Sequence, residues 1–182
     1  MENLQQQMKE MFEIVKAEKE DIPEIVNLLN ITYRSEESFK GWTSEAHLIQ
    51  GPIRTDAALI EELMQQEGSM MLKCIDGQNR LIGCVHLRND QGRLYLGMLS
   101  VLPNLQGGGI GKRFLKAADQ QAKKMNCRSV YMQVVSGRKE LTDWYIRHGF
   151  RFTGEKKDFD VDAKYGVPSQ KLEFHYMEKL LD

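Results

Sequence analysis

The chain has 182 residues, 41% of them hydrophobic, with 25 Lys plus Arg set against 26 Asp plus Glu. That length suits one hydrophobic core and is short for two, and a net charge of -1 creates no field that would draw the whole molecule onto nucleic acid or an anionic membrane. No apolar run approaches the roughly 20 residues needed to cross a bilayer.

Met1 to Met11 is rich in Gln, Glu and Lys and lacks the apolar stretch of a secretory signal. It reads as an N-terminal extension, 1–11, to a domain covering 12–182 of a cytoplasmic protein. Cys74, Cys84 and Cys127 form no C-x-x-C pair and are odd in number, so they read as reduced core residues.

Phe12 to Val15 alternates like a short strand. Asp21-Ile22-Pro23-Glu24 then combines a capping acid with an early proline, and Ile22, Ile25, Val26, Leu29 and Tyr33 form one helical stripe ending near Arg34. Ser35 to Thr55 has no period and is a long connector of the kind that covers a site, with Phe39 and Trp42 arguing for order. Thr55-Asp56 caps a second helix carrying Leu59, Ile60, Leu63 and Met64, with Gly68 as its stop. Met70–Ile75, Leu81–Leu87 and Arg93–Leu102 read as three antiparallel strands joined by tight turns. The third is apolar at nearly every position, as expected of a central strand covered on both faces.

After Pro103 a glycine-rich turn opens directly into a helix with Ile110, Phe114, Ala118, Ala122 and Met125 inward. A strand at Ser129–Val135, a helix around Leu141, Trp144, Tyr145 and His148 stopped by Gly149, and strands at Phe150–Thr153 and Leu172–Met177 complete the chain. The order is therefore β-α-α-β-β-β-α-β-α-β-β, an α/β (α+β) arrangement.

The turn Gly107-Gly108-Gly109-Ile110-Gly111 presents backbone N–H groups and the positive end of a helix dipole, which together hold anions. It is not a P-loop, because Gln106 stands where that motif has its first glycine and Arg113 follows the lysine. Nor is it a dinucleotide fingerprint, since a frame starting at Gly107 needs glycine at 112, which is Lys112.

What fits is Gln-x-x-Gly-x-Gly, running from Gln106 to Gly111 between a central strand and an amphipathic helix. Here the sequence resembles the GCN5-related N-acetyltransferase (GNAT) family. Trp144-Tyr145-Ile146-Arg147-His148-Gly149-Phe150 is similar to that family's Tyr-x-x-x-Gly-Phe segment, and the element order matches over nearly the whole chain. The resemblance implies a mixed, mostly antiparallel sheet of seven strands flanked by four helices.

It also implies acetyl-CoA as co-substrate, bound by Leu99, Val101, Gln106, Gly107, Gly108, Gly109, Ile110, Gly111, Lys112 and Arg113. Main-chain N–H groups of Gly107, Gly109, Gly111 and Lys112 would hold the diphosphate, while Leu99 and Val101 would meet the thioester and the pantetheine arm. The Leu99 N–H would stabilise the acetyl oxygen as it gains charge, and Tyr145 would protonate the leaving thiolate. Ser136 stands where many members carry asparagine.

The general base is not evident. Tyr95 occupies the position where members often have glutamate, leaving Glu36, Glu37, Glu45 and His86 as candidates. The histidines show no metal spacing, and the implied transfer needs no metal.

The acceptor is expected between Ser35–Thr55 and Lys156–Gln170. There Asp158, Asp160 and Asp162, with Glu36 and Glu37, could attract a cationic amine, the bland reading being solvated charge. The leading function is acetyl transfer to the primary amine of a small molecule by direct attack. The alternatives are a coenzyme-binding module without catalysis and acetylation of a protein amine. A homodimer, common on this fold, stays open.

Overall fold

The computed structural model describes residues 11–41 and 44–182. Apart from Met11, the expected N-terminal extension lies outside the described residues, as does Trp42 of the connector.

The strands are β1 (Phe12–Lys16), β2 (Ile49–Gln50), β3 (Ser69–Asp76), β4 (Leu81–Asp90), β5 (Arg93–Val101), β6 (Ser129–Val135), β7 (Arg151–Asp158), β8 (Val167–Pro168) and β9 (Glu173–Leu180). The α-helices are α1 (Ile22–Arg34), α2 (Ala57–Gln65), α3 (Ile110–Lys124) and α4 (Lys139–Arg147). Seven strands form one sheet in the order β1-β3-β4-β5-β6-β9-β7. Every neighbouring pair is antiparallel except β5 and β6. The apolar strand β5 is fourth of the seven, as its composition predicts. The last strand, β9, inserts between β6 and β7 and does not lie at an edge.

Helices cover both faces of this sheet. On one, Phe114, Leu115, Ala118 and Ala122 of α3 pack with Leu94, Leu96, Val130, Met132 and Met177. On the other, Ile25, Leu28 and Leu29 of α1 and Ile60 of α2 pack with Met71 and Cys84. Asp56 caps α2 by accepting from the Leu59 N–H at 2.9 Å, as its position predicts. Asp21 does not cap α1 with its side chain. Its carboxylate accepts instead from the Glu18 N–H at 2.8 Å and from Lys73 at 2.6 Å, anchoring the helix start to β3. Cys74, Cys84 and Cys127 are buried free thiols, and burial pushes Cys74 up to about 11 and Cys84 up to about 12, well outside the range of reactive cysteines.

Two features of β5 shape the site. Its parallel pairing with β6 covers only Arg93/Ser129, Leu94/Val130 and Tyr95/Tyr131, although both strands continue for several residues. Its pairing with β4 slips between Cys84 and His86, so that β5 carries one residue more than β4. That extra residue is a β-bulge, and Met98 within it has φ 53°, the left-handed region that a non-glycine residue occupies only when its surroundings demand it. The bulge lies in the part of β5 beyond Tyr95, where the ladder to β6 has already ended.

The connector is ordered where it is described. Glu36–Lys40 is a 3-10 turn, and β2 pairs with β8 of the later loop. Ser169 N–H donates to the Leu48 carbonyl at 2.8 Å, and Lys164 pairs with Asp56. The two segments expected to flank the acceptor are thus stitched to each other.

Candidate functional site

The glycine turn has the conformation its composition allows. Gly107 and Gly109 have φ 85° and 86°, and Gly109 is the N-cap of α3 in the left-handed region. A Cβ at either would meet nothing within 4 Å, so open space lies in front of the main chain. No side chain caps α3 and its first turn holds no acid, so nothing competes there for an anion. Gln106 donates from Nε2 to the Val101 carbonyl at 2.9 Å, which ties the turn to the end of β5. Gly41 accommodates this side chain, since a Cβ there would stand 2.7 Å from Gln106 Oε1.

From this turn a cleft of about 320 Å³ runs along the open edge of β5. Its walls include Leu99, Val101, Gly107, Gly109, Lys112 and Tyr145. Tyr145 is buried on α4, with its ring against Trp144 (5.1 Å between centroids) and Phe150 (5.6 Å). Burial, reinforced by the nearby Tyr33, pushes its phenol well above the ordinary tyrosine range. It is therefore a proton donor at neutral pH, and among the described residues its hydroxyl has no hydrogen-bond partner.

A second cavity, of about 130 Å³, shares Leu99, Leu141 and Tyr145 with the cleft. It lies in the gap between β5 and β6 and is also lined by Tyr33, Glu45, Arg54, Tyr95, Met98 and Arg138. Tyr33 on α1 donates its hydroxyl to the Leu99 carbonyl at 3.0 Å. Glu45 is buried, and both its oxygens face arginines: Oε2 accepts from Arg34 at 2.9 Å and Oε1 from Arg138 at 3.4 Å. Arg54 approaches the same carboxylate no nearer than 4.0 Å, and its guanidinium lies over the Tyr33 ring, 5.5 Å from the centroid.

A family model described as Acetyltransferase (GNAT) family matches residues 24–150. This chain belongs to the GNAT family. Over 68 residues it is 34% identical to the spermine/spermidine N(1)-acetyltransferase of Bacillus subtilis (strain 168), a match covering 37% of this chain and 45% of that protein. The chain thus spans less than half the length of that curated relative.

Solved structures share the GNAT fold at low identity. A GNAT acetyltransferase from Staphylococcus aureus Mu50 has TM-score 0.69 at 17% identity, covering 94% of this chain and 99% of that one. The spermidine N-acetyltransferase of Vibrio cholerae, in complex with CoA and spermine, has TM-score 0.66 at 18%, covering 93% and 95%. The Escherichia coli ribosomal-protein-S18-alanine N-acetyltransferase has TM-score 0.69 at 12%, covering 94% and 95%. At these identities the likeness is one of fold.

Within this GNAT frame, Leu99, Val101, Gln106, Gly107, Gly109, Ile110, Gly111, Lys112 and Tyr145 converge on the cleft. Gly108 and Arg113 do not line it. The Arg113 side chain turns to the far side of α3 and donates to the Phe12 carbonyl at 2.8 Å, and its N–H is already bonded to the Gly109 carbonyl. It borders instead a separate concavity of about 1050 Å³ along β1 and α3, which no other predicted site residue lines. Ser136 is bonded to the main chain of Glu173 through both its N–H and its hydroxyl.

Of the predicted bases only Glu45 reaches the second cavity, where it is paired. Glu36 and Glu37 are exposed on the connector turn. His86 is buried, with Nε2 2.7 Å from Ser69 Oγ, and burial together with Arg88 pushes it down to about 4. Tyr95 does line the cavity, but burial raises its phenol and keeps it protonated. Asp158, Asp160 and Asp162 are exposed and line neither cavity. The place of Arg54 in this cavity had no sequence signal, because it sits in an aperiodic connector. Among the described residues no group of three or more His, Cys, Asp or Glu is placed to hold a metal ion, and no helix is long and apolar enough to cross a membrane.

Proposed function

We propose that the chain is an acyl-CoA-dependent N-acetyltransferase that moves an acetyl group from acetyl-CoA to the primary amine of a small molecule by direct attack. The observation that carries this reading is the shared wall of the two cavities. An acyl donor anchored at the glycine turn and an amine held between β5 and β6 would meet at Leu99 and Tyr145.

The residues present fit the coenzyme. The open space before Gly107 and Gly109 and the uncapped start of α3 suit a diphosphate, held by main-chain N–H groups of Gly107, Gly109, Gly111 and Lys112. The unpaired edge of β5 at Leu99 and Val101 suits an extended pantetheine arm joining as a further strand. Gln106 acts by positioning the turn. When bound, acetyl-CoA supplies the activated acetyl thioester.

The chain's own groups do the rest. The Leu99 N–H donates to the acetyl oxygen as charge develops, a contribution of roughly 3 kcal/mol per donor in acyl transfer. Tyr145 protonates the departing sulfur, its buried phenol retaining a proton to give. With Glu45 engaged by two arginines, the amine enters already neutral, or loses its proton to water at the cavity mouth.

Calorimetry with acetyl-CoA, followed by thiol release with a panel of amines, tests the reading. Micromolar binding that weakens about tenfold in Gly109→Ala, where a left-handed β-carbon costs about 1–2 kcal/mol, is the expected result. Absence of binding, or binding indifferent to that change, would remove the diphosphate from this turn.

A further inference from the structure

We infer that the acceptor is an amine that also carries an oxyanion, a carboxylate or phosphonate recognised by Arg54 with Arg138, and not a polycationic amine. This rests on the acetyltransferase reading and names the substrate class of the same site.

The charged residues lining the second cavity are Glu45, Arg54 and Arg138. Behind Glu45 stands Arg34, whose side chain is 3% exposed and 2.9 Å from the carboxylate. One carboxylate therefore faces three guanidiniums, and its two oxygens are taken by Arg34 and Arg138. Arg54 is left 4.0 Å away, beyond hydrogen-bond reach of the only acid within 4.0 Å of it among the described residues. A buried or half-buried cation without a carboxylate of its own is an anion receptor, and a planar guanidinium fits a carboxylate or phosphonate with two parallel bonds.

Arg54 is also held in place. Its N–H and that of Thr55 both donate to Asn30 Oδ1, at 2.6 and 3.1 Å, which fastens this part of the connector to α1. Its guanidinium lies over the ring of Tyr33, and the hydroxyl of that ring bonds the Leu99 carbonyl. The cation and Leu99 thus contact the same tyrosine side chain. The small volume points the same way. A polyamine would need carboxylates along its length, and the acids predicted to attract a cationic amine, Glu36, Glu37, Asp158, Asp160 and Asp162, line neither cavity.

The test uses the full chain, acetyl-CoA and matched acceptors: L-amino acids, their carboxamides, aminoalkylphosphonates, and spermine with spermidine. A kcat/KM at least tenfold higher for the acids than for the amides supports the inference, and the phosphonates show which oxyanion is preferred. In Arg54→Gln the KM for the acid should rise tenfold or more while the KM for acetyl-CoA and for the amide holds. Arg54→Lys should recover part of the loss, a recovery that general unfolding would not produce. Equal turnover of acid and amide, or preference for spermine, overturns the inference and leaves the acetyltransferase reading standing. If acetyl-CoA binds but no amine turns over, titration of the CoA complex with the acid and its amide decides: binding of the acid alone supports the anion site, and binding of neither overturns it. Failure to bind acetyl-CoA at all sinks the parent reading, and the same titration of the free protein then judges Arg54.

Discussion

The hydroxyl of Tyr33 reaches the carbonyl of Leu99 at 3.0 Å, joining the last turn of α1 to the strand that splays away from β6. Beyond Tyr95 that part of β5 has no ladder partner on the β6 side, so its position depends on contacts of this kind. The bond also places the ring on which Arg54 rests.

Tyr33→Phe should therefore do two things. Losing one buried hydrogen bond should cost about 1 kcal/mol of stability, measurable by urea unfolding. It should also lower kcat several-fold through displacement of Leu99. A full stability loss with unchanged kcat would confine the bond to a structural role.

Tyr145→Phe should slow acetyl transfer by about tenfold to a hundredfold, since general acid assistance is worth that or more but a thiolate leaves readily without it. The KM for acetyl-CoA should hold within about threefold, because the ring and its contacts with Trp144 and Phe150 are kept. A raised KM at constant kcat would mean that Tyr145 only packs against the coenzyme.

Glu45→Gln removes the one negative charge that Arg34 and Arg138 share in a site where their side chains are 3% and 6% exposed. Breaking a buried pair in this way costs about 3–5 kcal/mol, because the cations stay buried after losing the carboxylate they share. Urea midpoints measure it. A change below about 1 kcal/mol would show that desolvation had already cancelled the attraction.

Stability should fall in acid partly through His86. Its folded value of about 4 lies below that of an unfolded histidine, about 6.5, so between these pH values the unfolded chain binds a proton that the folded chain refuses. The stabilisation is complete above pH 6.5 or so and is lost as pH drops toward 4, by at most about 3 kcal/mol. Asp56, Asp76 and Glu173, all held low by basic partners, lose theirs in a more acidic window. His86→Gln should flatten the midpoint between pH 7 and 5; an unchanged slope would assign it to other groups.

Local periodicity determined a good deal of this protein. The glycine turn before Ile110 could be read without coordinates, because backbone freedom and helix-start chemistry are properties of neighbouring residues. The same holds for the centrality of Arg93–Val101, where unbroken apolarity requires cover on both faces. Even Tyr145 lay within a short segment with its glycine and phenylalanine. The insertion of β9 between β6 and β7 was not legible, since strand order depends on pairings across the whole chain. Nor was the turning away of Arg113, whose side-chain direction is chosen by the Phe12 carbonyl of a distant strand. Above all, Arg34, Glu45, Arg54 and Arg138 come from a helix end, an aperiodic connector and the loop before α4. Only the tertiary path makes them neighbours. Charge pairing is a matter of a few ångströms in space, and a sequence records separation along the chain, so the charge of the cavity between β5 and β6 was decided by folding alone.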